Sequence, residues 1–289
     1  MPLTALALVL GAGLLHASWN LILKRTSERL LVTSWGLLLG AVIFLPALIQ
    51  AGPPPARVWP YAGASAAVLL GYYTCLARAY DRGAFSLVYP VARGTAPAML
   101  TIWAIVFLGE RPSAVGVAGI GLILGGLVVL GGAPMLVGRG GERGWNAVRM
   151  HARGAGTAFL VALLVSVYTA IDGAAVRHWT PIPYLVVVFA LAGGALIPLL
   201  ALRYGTHVFT VLRTHWIPTV VIAIMTLAAY SLVLSAFRIA PVSYAGAARE
   251  IGIVFAALAG WLFLGERFGG MRTVGAVTVF LGIGLLAAA

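Results

Sequence analysis

Charge is what this chain has least of. Only 9% of its 289 residues are Asp, Glu, Lys or Arg, where a soluble domain carries about a quarter. Acids are scarcest, seven against 19 basic residues. Cysteine is nearly absent. The single Cys75 sits in an apolar run, which excludes a disulfide framework and a thiolate cluster and reads as a small buried hydrophobe. There is no nucleophile–base pair, no set of residues at metal-ligand spacing and no phosphate loop between a strand and a helix. Neither a metal nor another cofactor is expected. Long polar stretches are missing as well, and with them any room for a soluble catalytic domain.

Apolar residues fill the space. They make up 62% of the chain, and the mean hydropathy is +1.03. Runs of about twenty apolar residues, each able to cross a bilayer as a helix, recur from end to end. Breaks at charge, Pro and Gly give ten spans: 3–23, 30–50, 58–79, 86–108, 113–132, 154–176, 183–202, 214–236, 243–264 and 269–288. The fold class is an all-α polytopic membrane protein. A β-barrel would need alternating strands of about ten residues. The first run lacks a basic leader and is followed by charge, so it reads as a first transmembrane helix rather than a removed signal peptide. The net charge of +12 is spread one to four residues per loop, which suits membrane topology and not nucleic acid. Odd-numbered loops hold thirteen Lys and Arg and even-numbered loops four. That count predicts cytoplasmic odd loops and both termini outside.

One stretch occurs twice. Arg82 to Leu130, shifted by 156 residues, lies without a gap on Arg238 to Leu286. Ala92-Arg93 meets Ala248-Arg249, and Phe107-Leu108-Gly109-Glu110-Arg111 meets Phe263-Leu264-Gly265-Glu266-Arg267. In span 1, Trp19 falls where Tyr168 falls in span 6. Such repetition sets the architecture. Residues 1–135 and 154–289 are two five-helix halves joined by a basic loop, 136–153. An odd number of spans per half inverts the second copy in the membrane, as in many secondary transporters.

The doubled Leu-Gly-Glu after the fourth span of each half, with Ser18-Trp19-Asn20 in span 1, resembles the EamA-type transporters of the drug/metabolite transporter superfamily. The resemblance implies small-metabolite transport, commonly export of amino acids, aromatic ones included. It implies both termini inside, against the charge count. It leaves sugars, nucleotide sugars, cations and drugs as other cargoes. Physically, Gly109 and Gly265 belong at helix ends. Glu110 and Glu266 are expected to cap the helix that follows each of them and to pair with nearby Arg.

Four charges fall inside spans: Arg93, Asp172, Arg249 and Glu250. Each costs a few kcal/mol in hydrocarbon and must face protein or water with a partner. Arg93 and Arg249, related by the repeat, are expected to face each other across a cavity and to hold an anionic group through paired hydrogen bonds. Glu250 or Asp172 would take an ammonium or a proton. The plainer reading is that Arg249 pairs with Glu250 or Asp172 and staples the fold. Trp19, Tyr72, Tyr73, Tyr168 and Tyr230 are deep enough to wall the cavity, with Asn20 the one deep amide. Tyr80, Tyr89 and Tyr244 lie near span ends and suit the interfacial belt. His16, Asp172 and Glu250 are candidate proton or ion carriers. Pro90 and Pro97 bracket Arg93, so spans 4 and 9 are expected to bend. Gly121, Gly125, Gly126, Gly282 and Gly284 are expected to bring helices together.

The sequence thus predicts a secondary transporter that exports amino acids, bulky or aromatic ones included, from a bacterial inner membrane by alternating access. A small-molecule substrate and the bilayer are its expected partners, and a monomer suffices. The alternatives are a carrier of organic cations or other metabolites and, in a different class, an intramembrane enzyme built on His16 and Asp172.

Overall fold

In the computed structural model the backbone of residues 1–81, 85–137, 144–264 and 270–289 is described, with side chains described outside residues 24, 76–94, 131–155, 157–158, 260 and 263–269. Among the described residues every regular element is helical. The first half holds α1 (Leu3–Lys24), α2 (Arg29–Ile43), α3 (Leu45–Ala51), a 3-10 turn (Ala56–Val58), α4 (Trp59–Asp81), α5 (Phe85–Leu108) and α6 (Ala114–Val137). The second holds α7 (Gly144–Ala175), α8 (Pro181–Tyr204), α9 (His207–Thr214), α10 (Trp216–Phe237), α11 (Val242–Ala248), α12 (Ile251–Leu264) and α13 (Gly270–Ala288). Leu3–Leu23, Pro181–Tyr204, Trp216–Phe237, Val242–Ala259 and Gly270–Ala288 are long and apolar enough to cross a membrane. The pair α2 and α3, bent by 42° at Phe44, makes a sixth. The chain is a multi-pass membrane protein.

Helix ends follow local chemistry. Gly109 (φ 69°) ends α5 and Gly205 (φ 58°) ends α8, in the left-handed region where a Cβ is penalised. Pro181 opens α8, where its missing N–H costs nothing. Hydroxyls inside the apolar helices turn back on their own backbone, as Ser34 does on Leu30 O (2.7 Å) and Thr169 on Val165 O (2.7 Å). Such a bond spares a hydroxyl the cost of an unmet donor in an apolar helix. The Met1 ammonium donates to Leu286 O at 2.9 Å, so a positive group meets the carbonyl end of α13.

The basic loop is shorter than its Gly and Arg content predicts, since α6 continues to Val137 and α7 starts at Gly144. Of the two spans expected to bend, span 4 is one helix, α5, that continues past Pro90 and Pro97. Span 9 is broken between α11 and α12 at Arg249-Glu250, with no proline nearby. There Glu250 N bonds Ala247 O (3.1 Å), Gly252 N bonds Arg249 O (3.2 Å) and Ile253 N bonds Glu250 O (2.9 Å). These are three-residue steps, the tighter 3-10 pattern. Finally, of the glycines expected at close approaches, Gly121, Gly125 and Gly284 have open space where a Cβ would stand.

The other two of that set, Gly126 and Gly282, do make close approaches. A Cβ on Gly126 would stand 2.7 Å from Gly275 O, and one on Gly282 would stand 2.7 Å from Gly119 O. These two pairs seat α6 on α13. Gly13 and Gly252 let α1 cross the broken span, a Cβ on Gly252 lying 3.2 Å from Gly13 O. Elsewhere α1 packs on α10 and α12, α7 on α4 and α5, α2 on α10 and α8, and α4 on α8.

Candidate functional site

Between the halves lies a cavity of about 180 Å³. Its wall follows from helical periodicity. His16, Trp19, Asn20 and Leu23 of α1, then Val161, Val165, Tyr168 and Asp172 of α7, then Thr226, Ala229, Tyr230 and Val233 of α10 all line it. Steps of three and four residues place each set on one helix face. Tyr72 and Tyr73 of α4, Phe189 of α8, Arg29 and Thr33 of α2, Ala96 of α5 and Arg249 at the helix break join them. Among the described residues, none of α6 or α13 lines it.

The aromatics touch in series. Tyr72 meets Tyr73 (centroids 5.1 Å apart) and Tyr168 (6.3 Å), and Tyr168 meets Tyr230 (6.2 Å), all near-perpendicular. The His16 ring stands edge-on to Trp19 at 4.9 Å. Edge-to-face contact is a favoured geometry for rings. The wall is thus built from rings that fix one another and offer apolar faces to a guest.

Its charges are unevenly reachable. Asp172 is fully buried. Its Oδ1 accepts the Tyr184 hydroxyl and its Oδ2 the Tyr230 hydroxyl, each at 2.5 Å. Glu250 is also buried, at 1% exposure, and accepts from an Arg249 terminal nitrogen at 3.4 Å. Arg249 itself keeps 14% of its side chain exposed.

Of the site residues predicted from sequence, Trp19, Asn20, Tyr72, Tyr73, Tyr168, Tyr230, Arg249, His16 and Asp172 all line this cavity. Glu250 is not among the lining residues and sits as the local partner of Arg249. Pro97 is on α5, where its carbonyl accepts the Thr101 hydroxyl (2.9 Å). The side chains of Arg93 and Pro90 lie outside the described residues, and with them the expected meeting of two arginines. Residues not singled out from sequence are Arg29, Thr33, Phe189, Thr226 and Tyr184. Arg29 reads in sequence as a loop charge, and Tyr184 as a residue at a span entrance. Only the fold turns them inward.

Two further residues have partners the sequence does not show. Tyr244 is buried, and its hydroxyl accepts the Ser113 N–H at 2.8 Å, just ahead of α6. Glu110 caps a helix, but not the next one. Its carboxylate accepts Val242 N (2.5 Å), Ser243 N (3.1 Å) and the Ser243 hydroxyl (2.5 Å), at the start of α11 in the other half. Free N–H groups and the positive end of the helix dipole draw a carboxylate there. The Glu266 copy lies outside the described residues. Glu110→Ala is expected to cost about 1–3 kcal/mol, the price of buried donors left unmet. It should therefore melt at a lower temperature in detergent, and a melting curve identical to the parent's would count against this tie.

A family model described as the EamA-like transporter family matches residues 3–132 and 152–288. A solved structure, described only as the crystal structure of a protein, superposes with a TM-score of 0.77 over 100% of this chain and 98% of that one. Their identity is 21%, so the likeness bears on the fold alone. No curated protein matches the chain.

Proposed function

The chain belongs to the EamA-like transporter family, and we propose that it is a secondary transporter exporting amino acids, bulky or aromatic ones included, from a bacterial inner membrane. The cargo passes by alternating access through the cavity between two inverted five-helix halves. One observation carries this reading. The enclosed space is walled by both halves, ringed by aromatic side chains, and has a reachable arginine at a helix break.

The packing supports the inverted repeat. Exchanging α1 with α7, α2 with α8, α4 with α10, α5 with α12 and α6 with α13 turns each major contact into another observed one. The α1–α10 contact becomes α7–α4, α1–α12 becomes α7–α5, and α2–α10 becomes α8–α4, while α2–α8 and α6–α13 map onto themselves. The 156-residue shift likewise carries the Gly119–Gly282 pair onto Gly275–Gly126. A pseudo-twofold axis produces such a pattern, and in this transporter design the substrate sits near it. The broken span fits the same design, since irregular backbone at membrane depth is tolerated where it lines a cavity. His16 and Asp172, both in the wall, are then the candidate carriers for coupling protons.

The test is counterflow of labelled amino acids in liposomes holding the purified protein. Arg249→Ala removes a charge-assisted contact of about 1.5–3 kcal/mol. In the fraction that stays monodisperse, affinity should fall roughly 10- to 150-fold. Unchanged counterflow by a well-folded Arg249→Ala protein would refute the assignment.

A further inference from the structure

Among the described residues, the reachable charge in the cavity has one sign. Both acids near it are sealed: Asp172 has no exposed surface and gives its oxygens to two tyrosine hydroxyls, and Glu250 is 1% exposed. The arginine beside them keeps 14% of its side chain open, and Arg29 is a second cation in the wall. The hydrogen-bonding capacity left over has the same sense. Three lining residues carry buried polar atoms without a partner among the described residues: Trp19 Nε1, Thr226 Oγ1 and Arg249 Nε. Two of these are donors only, and a hydroxyl can donate. They come from α1, α10 and the helix break, so they surround the space instead of sharing one helix. Asn20 spends an amide N–H on His16 O at 2.7 Å, and its oxygen, like the hydroxyls in the wall, is a neutral acceptor and carries no charge for an ammonium.

Such a wall meets an anion well and an ammonium poorly. A carboxylate can satisfy the unpartnered donors and face a guanidinium whose fork has a side not turned to Glu250. An ammonium would be stripped of water without an accessible acid among the described residues to receive it. Resting on the transport reading above, we infer that the cavity selects a small organic carboxylate with an aromatic or bulky apolar body, and that the amino group of an amino acid is dispensable. Trp19 and Thr226 are the specificity-determining donors, alongside Arg249.

Three probes of one shape separate the cases in liposome counterflow and in binding to the detergent-purified protein. They are 3-phenylpropionate (carboxylate only), phenylalanine (carboxylate and ammonium) and phenethylamine (ammonium only). The expected order is 3-phenylpropionate equal to or better than phenylalanine, with phenethylamine weaker by roughly tenfold or more, the worth of one charge-assisted contact. Trp19→Phe and Thr226→Val, which remove one donor each, the second at nearly constant shape, should each weaken 3-phenylpropionate roughly two- to tenfold. Binding of phenethylamine should hold steady in both. If phenylalanine or phenethylamine binds and 3-phenylpropionate does not, the inference is overturned while the transport reading stands. If a monodisperse protein neither binds nor carries any of the three, both fail.

Discussion

Gly126→Val is expected to yield almost no monodisperse protein, whereas Gly125→Val, one residue away, should behave like the parent. The difference is geometric. A Cβ at Gly126 would stand 2.7 Å from Gly275 O, 2.8 Å from Val279 Cγ2 and 2.9 Å from Val279 N. Two of these three are backbone atoms, which no rotamer change can move. At Gly125 nothing lies within 4 Å. Helix association in a membrane draws little on the hydrophobic effect, because lipid is as apolar as a side chain. It depends on close packing, and dispersion falls off steeply when a helix is pushed out by even an ångström. Overpacking typically costs about 1–3 kcal/mol. Here the displacement spreads along the whole α6–α13 seam through the second pair, Gly119 and Gly282. The check is size-exclusion of fluorescent fusions in mild detergent, with melting curves where a peak survives. Equal tolerance of valine at 125 and 126 would show that the seam does not hold the two helices.

The same seam shows how far the sequence could be read. The residue shift that pairs Gly119 with Gly275 and Gly126 with Gly282 is visible in the sequence. Which glycine touches which is not, because contact depends on the crossing of two helices whose order along the chain says nothing of their angle. Runs of Gly121, Gly125 and Gly126 look alike in one dimension, and only their azimuth on α6 separates them. Periodicity does carry the azimuth within one helix. His16, Trp19, Asn20, Tyr168 and Asp172 were singled out by depth in their spans, and the three- and four-residue steps between them put each set on one face. Helix stops were legible too, since Gly109 takes the left-handed φ its position demands. A bend in span 9 was expected from its likeness to span 4, but its position at Arg249-Glu250 was not legible, for it has no proline and lies where Gly252 meets Gly13 across a crossing. Glu110 was legible as a capping acid, but its target lies 132 residues on, beyond the reach of a local rule. Tyr184 and Thr226 were missed for the same reason: a hydroxyl on an apolar helix shows its purpose only when its partner, or the lack of one, is known.

Asp172→Ala is expected to lose most of the folded protein, and the loss should be recoverable without restoring the acid. The carboxylate is fully buried and is the acceptor for the Tyr184 and Tyr230 hydroxyls, on helices α8 and α10. Removing it orphans both donors at about 1–3 kcal/mol each and opens a void that adds to the cost. It also withdraws an acid from the neighbourhood of Arg249, within whose field it lies, leaving the guanidinium to Glu250 alone. Breaking one member of a buried polar set costs far more than replacing the whole set by apolar groups, because only the first leaves groups unpaired. Asp172→Leu combined with Tyr184→Phe and Tyr230→Phe should therefore recover much of the melting temperature that Asp172→Ala gives up. Counterflow by the triple variant then separates two roles that the single variant confounds. If Asp172 carries the coupling proton, the refolded triple variant still exchanges substrate at equal concentrations but no longer accumulates it against a gradient. If it only ties three helices together, uphill transport returns with the fold. A triple variant as unstable as Asp172→Ala would show that the cost lies in lost volume and not in the two stranded hydroxyls.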